Sequence, residues 1–252
     1  NEVLTLLKDR KGRLWIGTKN GLDCFDEQTQ QFIHYKKSPG NINSLSCNYI
    51  SKIYEDRQGI IWVGTGAPWD GLDDEEGGLN RLEQNGSFTQ FKHDSKIIHS
   101  LTTNKVRAIF EDSRGVFWVG TSGDGLHTMD RKTGLFERLS FNPKSPDYLV
   151  GLPMNTLPID HIAFIQEDRL GTIWIGKWSS GIIRYDPILK TITPFVGNSS
   201  FSDSTSWTAF QSREGLLWIS TEKNNLFKIE IFNKPLSLTP TTDQVYSFLE
   251  DD

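Results

Sequence analysis

The chain alternates short apolar runs with polar turns, and this alternation recurs five times. Each copy centres on a segment of the type D-x-x-G-x-apolar-W-apolar-G-T, with its tryptophan at Trp15, Trp62, Trp118, Trp174 or Trp218. One apolar run precedes the segment (VLTLLKD in the first copy), and two follow it (GLDCFD and QFIHY). Short apolar runs bounded by Gly, Asn and Asp are typical of strands joined by tight turns. Each copy therefore predicts four short antiparallel strands, named A to D here.

The fold follows from the repeat because the strands carry apolar residues on both sides. A four-stranded sheet of this kind must be covered on both faces by its neighbours, and a period of about 40–50 residues is typical of propeller blades. The prediction is an all-β protein, a β-propeller of four-stranded antiparallel blades with five repeats and the first strand of a sixth (VYSFLEDD), as a fragment of a larger propeller. The predicted blades cover residues 1–44, 45–100, 101–156, 157–200 and 201–240, with 241–252 starting a further blade.

The repeated segment, followed by G-G-L and an aromatic-Asp pair, resembles the two-component regulator propeller repeat. The connectors NSLSCNYI and HSLTTNKV are similar to those in sensor regions of hybrid histidine kinases. The chain departs from the pattern at Lys177, which replaces the Thr, and at Ser212 and Ser220, which replace Asp and Gly. The resemblance implies a periplasmic or otherwise extracytoplasmic sensor, with more blades, a β-sandwich and a membrane helix outside this chain.

Composition narrows the alternatives. Hydrophobic residues make up 36% and charged residues 23%, as in ordinary globular proteins, and the net charge of −5 does not favour a nucleic-acid partner. No apolar run approaches the ~20 residues that a membrane-spanning helix needs, and no signal segment begins the chain, so any membrane contact is expected through regions outside it. Two cysteines, Cys24 and Cys47, either pair in an oxidising compartment or are separate buried thiols; the second interpretation is favoured.

The predicted strand order places all long loops on one face. If strand A runs from top to bottom, the short A–B turns lie at the bottom, and the D–A connectors and B–C loops lie at the top. Loops on a rigid scaffold are common recognition surfaces. The candidate ligand-binding residues there are Trp69 and Asp70 in a long B–C loop, Asp124 in another, and Lys177 with Trp178 in a third. The alternative is that the tryptophans fold back to fill gaps between blades.

Catalysis and metal binding find little support in the sequence. It has no nucleophile elbow, H-E-x-x-H segment or Walker loop, so no catalytic residues are assigned. The acidic run between Asp70 and Glu76 is compatible with Ca²⁺ but fits a solvated loop better, so neither a metal nor a cofactor is expected.

Three functions remain open. The first is a sensor domain that binds a small ligand, such as an oligosaccharide, and relays a conformational change to a downstream kinase. The second is a protein-interaction scaffold, and the third is a carbohydrate-active enzyme, which needs two acids converging on one pocket. Uncovered first and last blades would expose a sheet face, so self-association, for example as a homodimer, is also expected.

Overall fold

The computed structural model describes residues 2–67, 77–123, 125–139, 161–178, 181–195, 205–222, 225–229 and 237–240. Within these ranges the secondary structure is a succession of β-strands, and they form five four-stranded sheets. In each sheet the four strands follow chain order and every neighbouring pair is antiparallel. The predicted all-β propeller of four-stranded antiparallel blades is thereby confirmed. The predicted start of a further blade, 241–252, lies outside the described residues.

Each blade contributes strands A, B, C and D in that order. Blade 1 consists of β1 (Val3–Lys8), β2 (Leu14–Thr18), β3 (Gly21–Asp26) and β4 (Gln31–Tyr35). Blade 2 consists of β5 (Ile50–Glu55), β6 (Ile61–Thr65), β7 (Gly78–Leu82) and β8 (Phe88–Phe91). Blade 3 consists of β9 (Val106–Glu111), β10 (Phe117–Thr121), β11 (Gly125–Asp130) and β12 (Leu135–Arg138). Blade 4 consists of β13 (Ile162–Glu167), β14 (Ile173–Lys177), β15 (Ile182–Asp186) and β16 (Thr191–Phe195), and blade 5 of β17 (Ser206–Gln211), β18 (Leu217–Thr221), β19 (Asn225–Ile229) and β20 (Ser237–Pro240).

The blades are arranged around an axis lined by their A strands. Strand β1 contacts β5, β5 contacts β9, β9 contacts β13 and β13 contacts β17. Among the described strands, extensive contacts join each blade to the next and none of that extent joins blade 1 to blade 5. The antiparallel order places the A–B turns at one end of the axis and the B–C and D–A connections at the other. We call the second end the top face, as the sequence predicted.

The recurring Asp and Trp of the first four repeats form one buried hydrogen-bonded unit in each blade. In blade 2 the Asp56 carboxylate accepts the indole N–H of Trp62 at 2.9 Å and the backbone N–H groups of Gln58 and Ile60 at 2.9 and 3.0 Å. The same indole–carboxylate bond joins Trp15 to Asp9, Trp118 to Asp112 and Trp174 to Asp168. One carboxylate thus closes the A–B turn and satisfies the buried indole nitrogen, because a buried donor without an acceptor is destabilising.

The core lies between blades. We call the side of a sheet that faces the preceding blade its leading face. On the leading face of blade 2, Ile61 and Val63 are buried and pack on Trp15 and Leu22 of blade 1. Trp62 and Leu79, on the opposite side of blade 2, pack in turn on Phe117 of blade 3. The pattern continues to blade 5, so neighbouring blades share each apolar cluster. Period-two alternation along each strand supplies both clusters from one sheet.

Blade 5 forms despite its departures from the repeat. Ser220 is 1% exposed where the other copies have glycine, and its strand keeps the antiparallel pairing of the other B strands. Ser212 replaces the turn aspartate, and its hydroxyl accepts the backbone N–H of Leu216 at 3.3 Å. The hydroxyl therefore keeps one of the bonds that the carboxylate makes elsewhere.

The two cysteines are separate. Cys24 lies on strand C of blade 1 and Cys47 lies in the connector to blade 2; both are buried, and they do not form a disulfide with each other. Cys24 belongs to the apolar cluster between blades 1 and 2, where burial raises its pKa. The favoured interpretation of the sequence, two independently buried thiols, is confirmed.

Candidate functional site

The top of the axis is bounded by a ring of repeated backbone hydrogen bonds. In every blade the residue that follows strand B donates its N–H to the carbonyl of the residue that precedes strand A. The distances are 3.1 Å for Gly66 to Tyr49, 2.7 Å for Ser122 to Lys105 and 3.0 Å for Trp178 to His161. We call these ten positions the rim: Glu2 with Lys19, Tyr49 with Gly66, Lys105 with Ser122, His161 with Trp178, and Thr205 with Glu222. The fold therefore brings one pair of variable side chains per blade to the same circle.

A β-bulge near the start of every A strand turns a further side chain toward the axis. The pairing of A with B shifts register in all five blades at the second residue of strand A. Bulges leave one residue outside the ladder and redirect its side chain. The five bulge residues, all half-buried, are Leu4, Ser51, Arg107, Ala163 and Trp207.

Two cations belong to the A strands at or next to the bulge. Arg107 places its guanidinium carbon 5.9 Å from the centre of the Trp207 ring. This contact spans blades 3 and 5, and the bulge residue of blade 4 between them is the small Ala163. Burial lowers the pKa of Arg107 to about 10, against an opposing effect of Tyr49.

Lys52 is the second cation. Its neighbour Ser51 donates a hydrogen bond to the carbonyl of Val106 in blade 3, which fixes Ser51 between the blades. Lys52 is half-buried on a strand whose two faces are both covered by neighbouring blades. Burial lowers the pKa of the Lys52 ammonium.

An aromatic pair stands on the rim above the cations. The rings of His161 and Trp178 meet edge to face with centroids 5.1 Å apart, and His161 Nδ1 is 2.8 Å from the Ser122 hydroxyl of blade 3. Burial, with the positive charges of Arg107 and Lys105, lowers the pKa of His161 to about 4. His161 is therefore neutral at pH 7, mainly because burial disfavours its charged form, and the charges of Arg107 and Lys105 add to that effect.

The structure places the sequence-predicted residues unevenly. Trp178 lies on the rim, half-buried against His161. Lys177 is 9% exposed at the end of strand β14, where blades 1, 2 and 3 have a threonine bonded to the carbonyl that begins strand C. Trp69, Asp70 and Asp124 lie outside the described residues. The structure thus brings Trp178 to the axial site and buries Lys177 within the blade.

Sequence reasoning missed the axial residues. Lys52, Arg107 and Trp207 lie within predicted strands, where they read as the polar or aromatic members of an alternating pattern. Arg107 and Trp207 share the second place of strand A, and that place becomes informative only once the bulge is known to redirect its side chain. Lys105 and His161 precede strand A and were treated as connector residues.

A polar cleft at the other end of the molecule is lined by structural ion pairs. A cleft of about 330 Å³ at the lower end of blades 2 and 3 is lined by Trp62, Arg81 and Arg131, among others. Arg131 bonds Asp56 at 2.9 Å and Glu111 at 2.6 Å, and Arg81 bonds Glu83 at 2.8 Å. Within the described ranges, no group of three or more His, Cys, Asp or Glu side chains is placed to hold a metal ion. The part of the chain that the structure describes also forms no helix that is long and apolar enough to cross a membrane.

Blade architecture and repeat together define the class: the chain is a β-propeller built from Trp-centred repeats. Its residues 1–20, 44–67 and 100–123 match the sequence model of the two-component regulator propeller. The predicted resemblance is confirmed by these matches, which cover the opening strands of blades 1, 2 and 3. No curated protein sequence matches the chain.

Solved structures show the same fold. The extracellular domain of a proposed hybrid two-component system of B. thetaiotaomicron superimposes with a TM-score of 0.71 at 24% identity, over 94% of this chain and 30% of that one. A second B. thetaiotaomicron extracellular domain gives a TM-score of 0.70 at 23% identity, over 95% of this chain and 31% of that one. Virginiamycin B lyase of Staphylococcus aureus gives 0.61 at 15% identity, over 96% of this chain and 71% of that one. The chain spans about a third of the length of the B. thetaiotaomicron domains.

Proposed function

We propose that this chain is part of an extracytoplasmic sensor domain of a two-component signalling protein, and that it binds a small saccharide at the top of its axis. The observation that carries the proposal is the match of three repeats to the two-component regulator propeller. The extracellular domains of two-component proteins among the solved structures support the same location and role. Ligand binding would bias the downstream kinase by favouring one arrangement of neighbouring domains or subunits.

The rim supports a saccharide ligand because it offers an aromatic ring beside polar groups. Trp178 is half-buried, and the Ser122 hydroxyl, the His161 imidazole and the Lys105 ammonium stand around it. Aromatic faces stack on the apolar faces of sugar rings while neighbouring polar groups bond the hydroxyls. The five bulges and the rim hydrogen bonds hold these groups on rigid strands, which favours a preformed site.

A saccharide screen tests this function. We expect at least one soluble oligosaccharide to raise the melting temperature of the protein and to bind with a measurable heat in calorimetry. Trp178→Ala is expected to weaken that binding by about tenfold or more, because loss of a stacking ring removes 1–2 kcal/mol. Leu170→Ala, which truncates an exposed apolar side chain in the A–B turn of the same blade at the opposite end of the axis, serves as the control and should leave binding unchanged. Failure of every saccharide to shift the melting temperature would contradict the ligand assignment.

A second candidate, interaction with other protein chains, is favoured by the leading face of blade 1. Leu14 and Ile16 are half-buried there, whereas their counterparts in blade 2, Ile61 and Val63, are 2% and 0% exposed. Phe32 is 54% exposed, whereas its counterpart Phe88 is 2% exposed. Contiguous exposed apolar surface of this kind is typical of an interface.

Light scattering on this chain tests the interface. We expect the apparent mass to rise with protein concentration and Phe32→Asp to return it to that of a monomer, because a carboxylate on the apolar face is costly to bury. Ile98→Asp, at an apolar residue of the connector before blade 3 that is 91% exposed, is the matched control and should not change the association. A single monomeric mass at all concentrations would count against self-association.

A further inference from the structure

Blade 4 carries three exposed apolar side chains at the end of the axis opposite the top face, which we call the bottom face. Leu170 lies in the A–B turn and is 63% exposed, and Ile188 and Leu189 lie in the C–D turn and are 82% and 69% exposed. Strands B and C are paired, so the two turns are neighbours whose centres lie about 10 Å apart, two interstrand spacings. The three side chains are therefore close enough to form one surface, named the blade-4 patch.

The A–B turn does not require an apolar side chain at this place. Leu170 donates its backbone N–H to the Asp168 carboxylate at 2.8 Å. The same bond closes the turn in blades 1, 2 and 3, where the donating residues are Lys11, Gln58 and Arg114. The equivalent residue of blade 5 is Glu214. The apolar side chain is thus a feature of blade 4 and not of the repeat.

The C–D turn shows the same contrast. The Asp186 carboxylate accepts the backbone N–H groups of Ile188 and Leu189 at 2.9 and 3.0 Å. In blade 1, Gln28 and Thr29 make the same two bonds to the aspartate that begins their turn, at 2.9 and 3.2 Å. Polar residues therefore build the same turn elsewhere, so the turn itself does not explain the exposed apolar pair. Clustered apolar surface of this kind is typical of an interaction site.

Cationic side chains border the blade-4 patch. Arg169 and Lys190 adjoin its apolar residues in the two turns, and both are exposed. Arg169 donates to the carbonyl of Arg213 in blade 5, a bond that leaves its charge in place. The carboxylates of the same two turns accept backbone N–H groups of their own turns. A partner that fits the patch is therefore apolar at its centre and acidic at its border, because interfaces pair opposite charges.

Charge and chain length select the source of that partner. A second copy packed through the same patch would bring Arg169 and Lys190 against the same cations, which is unfavourable. The chain spans only 30% and 31% of the two extracellular domains that it superimposes on, so most of each of those proteins lies outside the matching part. A small patch is sufficient for a domain of the same polypeptide, because linkage gives the two surfaces a high effective concentration.

We propose that the blade-4 patch is the docking surface for an adjoining domain of the same polypeptide, which covers Leu170, Ile188 and Leu189 with an apolar surface bordered by carboxylates. The existence of that domain rests on the proposed function, in which this chain is part of a larger sensor. The place and the charge of the contact rest on the patch alone. Docking at the bottom face leaves the rim at the top face open to a ligand.

Hydroxyl-radical footprinting tests the contact by comparing the isolated chain with the longer protein that contains it. We expect Leu170, Ile188 and Leu189 to be oxidised readily in the isolated chain. In the longer protein their oxidation should slow by about threefold or more, because the centre of an interface excludes water. Ile42 and Ile98, exposed in the connectors before blades 2 and 3, are internal controls and should be oxidised equally in both proteins.

Two substitutions at one position test the charge of the partner. In the longer protein, Ile188→Asp should return the oxidation of Leu170 to its rate in the isolated chain, whereas Ile188→Lys should keep most of the protection, because an acidic border repels the first and attracts the second. Gln28→Asp, at the equivalent place in blade 1, is the matched control and should leave the protection unchanged. All three variants should melt at the parent temperature as isolated chains, because this turn also forms with polar side chains.

The remaining outcomes overturn the proposal. Equal oxidation of the patch in the two proteins would mean that no domain covers it. Protection already present in the isolated chain would mean that its own residues 140–160 cover the patch or, if the protection rises with protein concentration, that a second copy does. Equal loss of protection in Ile188→Asp and Ile188→Lys would contradict the acidic border. Saccharide binding at the top face is measured separately, so the saccharide function stands or falls independently of these results.

Discussion

Replacement of Trp62 by alanine is expected to lower the free energy of unfolding by about 3–5 kcal/mol. The side chain is 0% exposed and packs between blades 2 and 3, where its ring centre lies 4.7 Å from that of Phe117. Its truncation removes a large apolar surface and leaves a cavity shared by two blades. Urea unfolding followed by circular dichroism measures the loss without relying on tryptophan fluorescence.

Two effects add to the cavity in this variant. The indole N–H of Trp62 is bonded to Asp56, so the alanine variant leaves a buried carboxylate with one donor fewer. Asp56 also accepts from Arg131 of blade 3 at 2.9 Å, which connects the turn of one blade to the next. Loss at Trp62 therefore weakens both the turn of blade 2 and its contact with blade 3.

Trp218 provides the matched control because it occupies the same repeat position in blade 5. It is half-buried, and the turn residue before it is Ser212 in place of an aspartate. Trp218→Ala is expected to cost about 1–2 kcal/mol, in proportion to its smaller buried area. Equal losses at Trp62 and Trp218 would show that neither the carboxylate bond nor the covering blade determines the effect.

Features that recur from copy to copy were predictable from the sequence, whereas residues that are unique to one copy were not. The Asp–Trp pair recurs in the first four copies, and the turn glycine and the alternating strands recur in all five, so their shared role in blade formation was predictable from spacing alone. Gly59 and Gly115 have φ values of +80° and +84°, which fits the turn that the D-x-x-G segment predicts. The top and bottom faces followed from strand order once four antiparallel strands were assigned.

The axial site was not predictable because it is built from residues that differ between copies. The same bulge place holds Leu4 in blade 1, Arg107 in blade 3 and Trp207 in blade 5, so no motif marks it. The contact of Arg107 with Trp207 joins positions 100 residues apart and depends on the curvature of the blade array. Loop tryptophans were easier to recognise as candidates, and Trp178 does reach the rim.

The fold is expected to lose stability as pH falls from about 6.5 to about 4, and His127 is a principal cause. This residue is 0% exposed on strand C of blade 3, and burial, reinforced by the charge of Arg138, lowers its pKa to about 4. An unfolded histidine titrates near its ordinary value of about 6.5, so between the two values the unfolded chain binds a proton that the folded chain does not. Stability is therefore full above pH 6.5 and declines as pH falls toward 4.

The hydrogen bonds of His127 explain why the neutral ring is required. Its Nε2 faces the backbone N–H of Thr102 at 3.4 Å and the hydroxyl of the same residue at 3.0 Å. A protonated ring would set a donor against that backbone donor in a site without water access. The equivalent residue of blade 2, Asn80, accepts the backbone N–H of Ser46 at 2.9 Å, so asparagine can hold a connector in the same way.

His127→Asn should therefore fold at pH 7.5 with a loss of about 1–2 kcal/mol from its smaller volume. Between pH 6.5 and 4, the free energy of unfolding of this variant should decline less than that of the parent. The difference between the two declines should be about 3 kcal/mol at the most. His161, whose pKa is also lowered to about 4, should provide the decline that remains. Urea unfolding at a series of pH values measures both effects.

His34→Asn controls for the removal of a histidine as such, because His34 lies on the exposed face of blade 1 with a side chain 65% exposed. The double variant His127→Asn with His161→Asn should show the flattest pH profile of the series. If the stability of His127→Asn declined with pH as much as that of the parent, protonation of His127 would not be what destabilises the fold. The proposed role of the neutral Nε2, as the acceptor that joins blade 3 to the preceding connector, would then be wrong.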